Sequence, residues 1–138
     1  MSRADYKTAS QKETEFFSDF LTNFDRNPIT GLLAKVTNED AIKLSIKNIV
    51  RTALTERFYQ PLTGSKVATA MFELQGPEQD ELIKQTISTA LKNEERRANI
   101  LNIDVAFEAY TLVVNIDFEC INFPGKQFSV AVFLKRIR

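Results

Sequence analysis

The sequence contains no histidine and no tryptophan, and only one cysteine, four glycines and four prolines among 138 residues. Without histidine there is no Ser-His or Cys-His nucleophilic dyad and no usual zinc ligand. The side chain that most often moves protons near neutral pH is also missing. A lone thiol, Cys120, excludes an intrachain disulfide and a multi-thiolate metal site, and it fits a reducing compartment. Excess charge is lacking too. Eighteen basic and eighteen acidic residues cancel, and the pI of about 6.3 directs the chain to neither nucleic acid nor an anionic membrane. No run approaches the roughly 20 apolar residues of a membrane span. The opening MSRADYKTASQKETE has no apolar signal core, so the expectation is a soluble cytoplasmic protein. No metal and no cofactor is expected.

What is present is enough for one core. With 43% hydrophobic and 26% charged residues, the chain reads as a polar, flexible arm over 1–14 followed by a single domain over 15–138. Phe16, Phe17, Phe20 and Phe24 precede an Asn27-Pro28 break, and Leu32 to Val36 form a candidate edge strand. From Asn38 the period is helical. Ile42, Ile46, Ile49, Val50 and Ala53 share a face, with Thr37 or Asn38 as cap and Glu39 and Asp40 in the first turn. A second helix is expected after Ser65 as N-cap, burying Val67, Ala70, Met71 and Leu74. A third starts at Pro77 with the stripe Leu82, Ile83, Ile87, Ala90 and Leu91, and ends near Asn93 to Arg97.

Beyond Arg97 the period becomes two. Leu101, Ile103, Val105 and Phe107 form one apolar set, and Tyr110, Leu112, Val114, Ile116, Phe118 and Cys120 form another. A short break at Glu108-Ala109 suits an antiparallel hairpin, and NFPG at 122–125 turns the chain again. The last run, from Gln127, is apolar on both faces, with Phe128, Val130, Val132 and Leu134 opposite Ala131, Phe133 and Ile137. This order predicts an α+β fold, with about three helices packed on one face of a small antiparallel sheet formed mainly by the C-terminal strands.

Catalytic readings find little support. Glu94, Glu95, Asp117 and Glu119 could be paired as glycosidase carboxylates, but exposed strand faces and helix ends are where acids belong in any case. PLTGSKV lacks the spacing of a phosphate loop, since Ser65 precedes Lys66 and Gly64 stands alone. Cys120 alternates inward and reads as a small core residue. No catalytic residue is assigned.

The most specified stretch is LTERFYQPLTGSKVATAMFE, residues 54–73. Pro61 and the Gly64-Ser65 step make a rigid connection between helices that cannot form one rod. Together with AIKLSIKNIVRTA before it, and KNEERRANILNIDV and YTLVVNIDF after it, this stretch resembles the GpW-like family of baseplate wedge and sheath-initiator proteins of contractile phage tails. The resemblance spans about residues 19 to 120. Thr52, Glu56, Arg57, Pro61, Gly64, Ser65, Phe72 and Glu73 match the family pattern. Thr55 stands where the family has Gly, and Thr63 where it has an aromatic residue.

The family also carries a Glu-Pro-Arg tripeptide after the third helix, which the resemblance implies docks the helical core bundle of the wedge. Here Glu95, Arg96 and Arg97 occupy that register, with the proline replaced. Without the proline the helix is free to extend by a residue or two. Glu95 and Arg97 could offer an acceptor and a bidentate donor to a partner. The other reading is a solvated charge cluster at a helix end.

The resemblance implies a structural, non-enzymatic role, although the family has carried a lysozyme-like label. Six copies would ring the tail axis in the virion baseplate, after assembly in the host cytoplasm. The implied partners are the tail sheath protein, other wedge proteins and the tail tube or its initiator. The sheath site falls on the last strand, at Phe128, Val130, Val132, Leu134, Lys135, Arg136 and Arg138, where an open apolar edge invites strand addition. Two alternatives share the pattern: a wedge component of a type VI secretion baseplate, and an anti-adaptor-like regulatory binding protein.

Overall fold

The periodicities become three helices and two antiparallel sheets in the computed structural model, which describes residues 14–72 and 76–135. Strands β1 (Ser18–Phe20) and β2 (Lys35–Thr37) pair as a small separate sheet. Helices α1 (Asn38–Arg51), α2 (Val67–Ala70) and α3 (Pro77–Glu94) follow, then strands β3 (Ala98–Glu108), β4 (Thr111–Cys120) and β5 (Gln127–Lys135), side by side in that order. Residues 1–13 of the expected arm, Glu73, Leu74, Arg136, Ile137 and Arg138 lie outside the described residues.

The core lies between the helices and one face of the three-stranded sheet. Ile42, Ile46, Ile49 and Val50 of α1 and Ile83, Ile87, Ala90 and Leu91 of α3 are buried. They meet Leu112, Val114, Ile116 and Phe118 of β4 and Val130 and Val132 of β5. β4 is central, so its alternate side chains are fully enclosed, including Cys120, whose thiol is pushed up by burial. Leu82, expected in the buried stripe of α3, is instead half exposed.

The strict alternation expected for β3 fails at one residue. Ile100 pairs with Phe118 but Asn102 pairs with Asp117, so Leu101 is the extra residue of a β-bulge. Ala98 and Ile100 therefore face the helices before it, and Ile103, Val105 and Phe107 after it, while Leu101 turns out to solvent. A period of two cannot show such a parity switch when both candidate positions are apolar. The hairpin after Glu108 turns at Ala109 and Tyr110, with Ala109 at φ 46°, and Tyr110 is mostly exposed rather than part of the inner row.

Both ends of α1 are closed by tertiary contacts. At its start, buried Asn38 takes φ 49°, a conformation asparagine tolerates better than most residues. Its amide oxygen accepts the Phe16 N–H at 2.9 Å and its amide nitrogen donates to the Thr14 carbonyl at 3.1 Å. At its end, Ser65 does not cap α2, whose N-cap is Lys66. The Ser65 hydroxyl donates to the Val50 carbonyl at 2.9 Å and its N–H to the Thr52 carbonyl at 2.9 Å, serving acceptors that the finishing helix α1 leaves open. Gly64 makes this approach feasible. It sits at φ 127°, and a Cβ there would lie 2.5 Å from the Thr52 carbonyl oxygen. Gly64→Ala is expected to destabilise the fold by roughly 2–4 kcal/mol, combining backbone strain with an immovable backbone contact. A urea titration of the variant checks this, and a loss below 1 kcal/mol would refute it.

Candidate functional site

Three places hold the residues singled out by pattern: the junction at Glu95–Arg97, the loop over 52–66, and the edge of β5. The junction forms because α3 stops at Glu94. Glu95 is non-helical, its N–H donates to the Leu91 carbonyl at 2.8 Å, and the helix gains no extra residue from the missing proline. Glu95 was expected at an exposed helix end, available to a partner. It is instead 2% exposed, and its partner is internal.

Arg97 donates through Nε to Glu95 Oε1 at 2.7 Å and through a terminal nitrogen to Oε2 at 2.6 Å, a bidentate fork reinforced by its own backbone N–H at 3.3 Å. Alternate chain direction brings both side chains to one side and leaves Arg96 exposed between them. Ser45 of α1 also favours the charged form of the same carboxylate. The guanidinium lies 5.2 Å from the Phe17 ring centroid, and the Arg97 carbonyl accepts the Ile121 N–H at 3.1 Å. Burial alone would raise the Glu95 carboxyl, but the bonds and charge of Arg97, together with Ser45, outweigh it and hold the group below the ordinary carboxylate range. Arg97 is raised in turn by the carboxylate it binds.

In the loop, the Glu56 carboxylate accepts the Ala53 N–H at 2.9 Å, and the Pro61 carbonyl accepts the Thr55 N–H at 2.9 Å. Ala53 and Ser65 form an isolated parallel bridge. Glu56, Pro61, Gly64 and Ser65 are therefore parts of one internally bonded turn. Arg57 is exposed, and Phe72 is 58% exposed beyond α2. At the third place, Phe128, Val130, Val132 and Leu134 face the helices, so they form the inner row of β5, and Lys135 ends the strand on the other face. Pattern reading passed over Phe58, Tyr59 and Leu62, which protrude from the loop; the aromatic pair within a polar turn was the available signal. Among the described residues no cluster of three or more Cys, Asp or Glu side chains could hold a metal ion.

No family model matches the chain. Baseplate wedge protein gp25 of Enterobacteria phage T4 is 30% identical over 86 residues, which are 61% of this chain and 65% of the phage protein. The match therefore spans just under two thirds of that relative's length. In fold, a protein of Geobacter sulfurreducens described as a tail lysozyme superposes with a TM-score of 0.68 at 20% identity, covering 75% of this chain and 96% of that one. A chain of the anti-feeding prophage baseplate superposes with a TM-score of 0.61 at 14% identity, covering 88% and 87%.

The internal pair makes two expectations. Arg97→Ala should destabilise by about 3 kcal/mol, at the lower end for breaking a buried pair because the Arg97 side chain is 35% exposed and partly screened. In a double-mutant cycle with Glu95→Ala, the losses should fall short of additivity by about 1–3 kcal/mol. The pH dependence has a defined sign. A lowered folded value means that the Glu95 contribution is fully present above the ordinary carboxylate range and is lost as pH falls through the lowered value. Without Arg97 burial dominates, so the acid limb of the stability curve should begin at higher pH. Additive losses with an unmoved acid limb would dismiss the coupling. In sequence the chain is similar to a phage baseplate wedge protein, and in fold to a protein described as a tail lysozyme and to a chain of a prophage baseplate.

Proposed function

We propose that the chain is a structural component of a baseplate wedge in a contractile tail, offering the edge of β5 to the first layer of sheath and meeting neighbouring wedge proteins near the Glu95–Arg97 junction. The similarity to a phage baseplate wedge protein supports the setting. The observation that carries the sheath contact is the difference between the two edges of the main sheet. The β3 edge is bulged at Leu101 and polar at Asn99, Asn102, Asp104 and Glu108, the devices that discourage strand addition. The β5 edge pairs regularly with β4 from Glu119↔Gln127 to Thr111↔Lys135 and holds no charged residue between its ends. An incoming strand would find continuous main-chain hydrogen-bonding groups there, beside the inner row Phe128, Val130, Val132 and Leu134. At the junction, the Glu95–Arg97 fork holds Arg96 outward, and Arg96 is the member of the triplet free to reach a wedge partner.

A hydrolytic role is not part of this reading. A glycosidase general acid needs a carboxyl raised by its surroundings, and Glu95 is shifted the other way and bound at both oxygens. Purified protein should therefore release no fragments from peptidoglycan. Fragment release abolished by Glu95→Gln or Glu119→Gln would establish an enzyme instead.

The sheath contact is tested by placing charge on the edge. Ser129→Lys and Phe133→Lys replace exposed residues on the outer face, so the monomer should lose no more than about 1 kcal/mol. Electron microscopy of particles carrying the pair should show tubes and baseplates with sheath absent or detached. Full-length extended sheaths on those particles would exclude β5 as the sheath contact.

A further inference from the structure

Beside the start of β5 lies a pocket of about 240 Å³, lined by the rings of Phe16, Phe123 and Phe128 together with Thr14, Glu39 and Lys126. The rings are held in place by one another and by the core. Phe16 and Phe123 meet edge to face at 5.5 Å, and Phe128 packs on buried Phe118 at 5.8 Å. The Lys43 ammonium lies 5.6 Å from the Phe128 ring centre. Phe16 is nonetheless 50% exposed, so the pocket keeps apolar surface open to solvent. The chain meets this pocket at a fixed point. Buried Asn38 holds both the Thr14 carbonyl and the Phe16 N–H, so residues 1–13 depart from the pocket's own lining.

We propose that this N-terminal segment folds back and seats Tyr6 in the pocket of its own chain, beside the first residues of the β5 edge. Reach, size and charge select this occupant. The eight residues from Tyr6 to Thr14 span up to roughly 26–29 Å when extended, and the pocket begins at Thr14 itself. A volume of about 240 Å³ lies below the roughly 300–1,000 Å³ of small-molecule sites, and it suits one aromatic side chain. Tyr6 is the only aromatic residue in 1–13, and it stands between Asp5 and Lys7. The lining offers the complementary pair, Lys126 for Asp5 and Glu39 for Lys7. Among the described residues neither Lys126 nor Glu39 is engaged in an ion pair. Tyrosine also suits an apolar pocket with charged residues in its lining, because its ring is buried while its hydroxyl keeps a polar partner. Tethering raises the effective concentration of the segment into the millimolar range, which favours it over the arm of a second copy.

A seated arm stands beside Gln127 and Phe128, at one end of the β5 edge, and a strand added to that edge would have to displace it or stop short of it. That consequence rests on the function proposed above; the seating does not.

The chain contains no tryptophan, so Tyr6→Trp in the full chain is a single fluorescent reporter. Its emission should be blue-shifted and shielded from acrylamide relative to a peptide of residues 1–13 carrying the same change, and equally so at every protein concentration. Phe16→Ser, at a half-exposed position, should remove the shielding and leave the far-ultraviolet dichroism unchanged. Lys126→Glu, at an exposed position, should lower the ratio of shielded to open arm about two- to five-fold, the loss expected for an exposed ion pair, and Asp5→Lys should restore it. Emission as open as that of the peptide overturns the proposal. So does shielding that both pocket variants leave unchanged. Shielding that grows with protein concentration assigns the pocket to the arm of a second copy and overturns it too. All of these measurements use the isolated chain, so a negative result leaves the baseplate role standing.

Discussion

A carboxylate with 2% exposure cannot stand alone in a protein interior, and the need to pair Glu95 organises the centre of this molecule. Its partner is two residues away, on the far side of the turn from helix to strand. The chain must therefore leave α3 at Glu94, reverse the side-chain direction once at Arg96, and enter β3 with Arg97 folded back. The same two side chains reach Ser45 on α1 and the Phe17 ring beside β1. Four segments are thus referred to one point, and the bonds are directional where the surrounding apolar contacts are not. Hydrophobic burial supplies most of the attraction between the helix layer and the sheet. The ion pair selects one angle among the many that burial would accept.

The second constraint lies in the loop that follows α1, which reaches the end of α3 through the Thr63 hydroxyl on Glu94. Helix α1 finishes in open carbonyls, and the chain answers from fifteen residues later, with the Ser65 hydroxyl on Val50. Only glycine fits at position 64, so the segment from Thr52 to Ser65 becomes a closed loop with a fixed base. Its exposed tip is thereby held in one orientation relative to α3. On the assembly reading this rigidity has a use: a subunit that joins several neighbours must hold its contact points at fixed separations, and loops of this kind are otherwise the least ordered part of a domain.

The elements with the most repeated signal were the most legible. α1 and α3 could be placed from apolar spacing because each offers several turns, and β4 from an alternation that is unbroken over ten residues. The exceptions share a physical cause, that one side chain can serve two elements. Ser65 has the composition of an N-cap, but a carbonyl of α1 competes for its hydroxyl and wins. Leu101 fits an inner row until the bulge reverses it, and the bulge has no residue signature of its own here. Glu95 and Arg97 look solvated in NEERR because four neighbouring charged or polar residues suggest a wet surface. Their burial follows from the approach of α1 and β1, which lie some fifty and eighty residues earlier in the chain. Family resemblance singled out this triplet but carried no sign that Glu95 is buried.

On the proposed reading, a chain whose charges cancel, and whose described surface carries exposed aromatic side chains and a strand edge without internal charge, recognises neighbours by shape and backbone hydrogen bonding. Long-range attraction has little part in it. Electrostatic steering raises association rates toward ~10⁸–10⁹ M⁻¹s⁻¹ and falls steeply with salt, whereas unsteered docking proceeds at roughly 10⁵–10⁶ M⁻¹s⁻¹. For a component that enters an ordered assembly, the slower regime has an advantage. A strand edge that captured partners from a distance would capture them before the neighbouring surfaces were in place, and an exposed edge is also a template for aggregation. On the proposed reading, neutral overall charge leaves the β5 edge dependent on close, correctly oriented encounter. On the proposed reading, a ring of such subunits presents many copies of the edge at once, and effective concentration then favours sheath subunits on the completed ring over any single free copy.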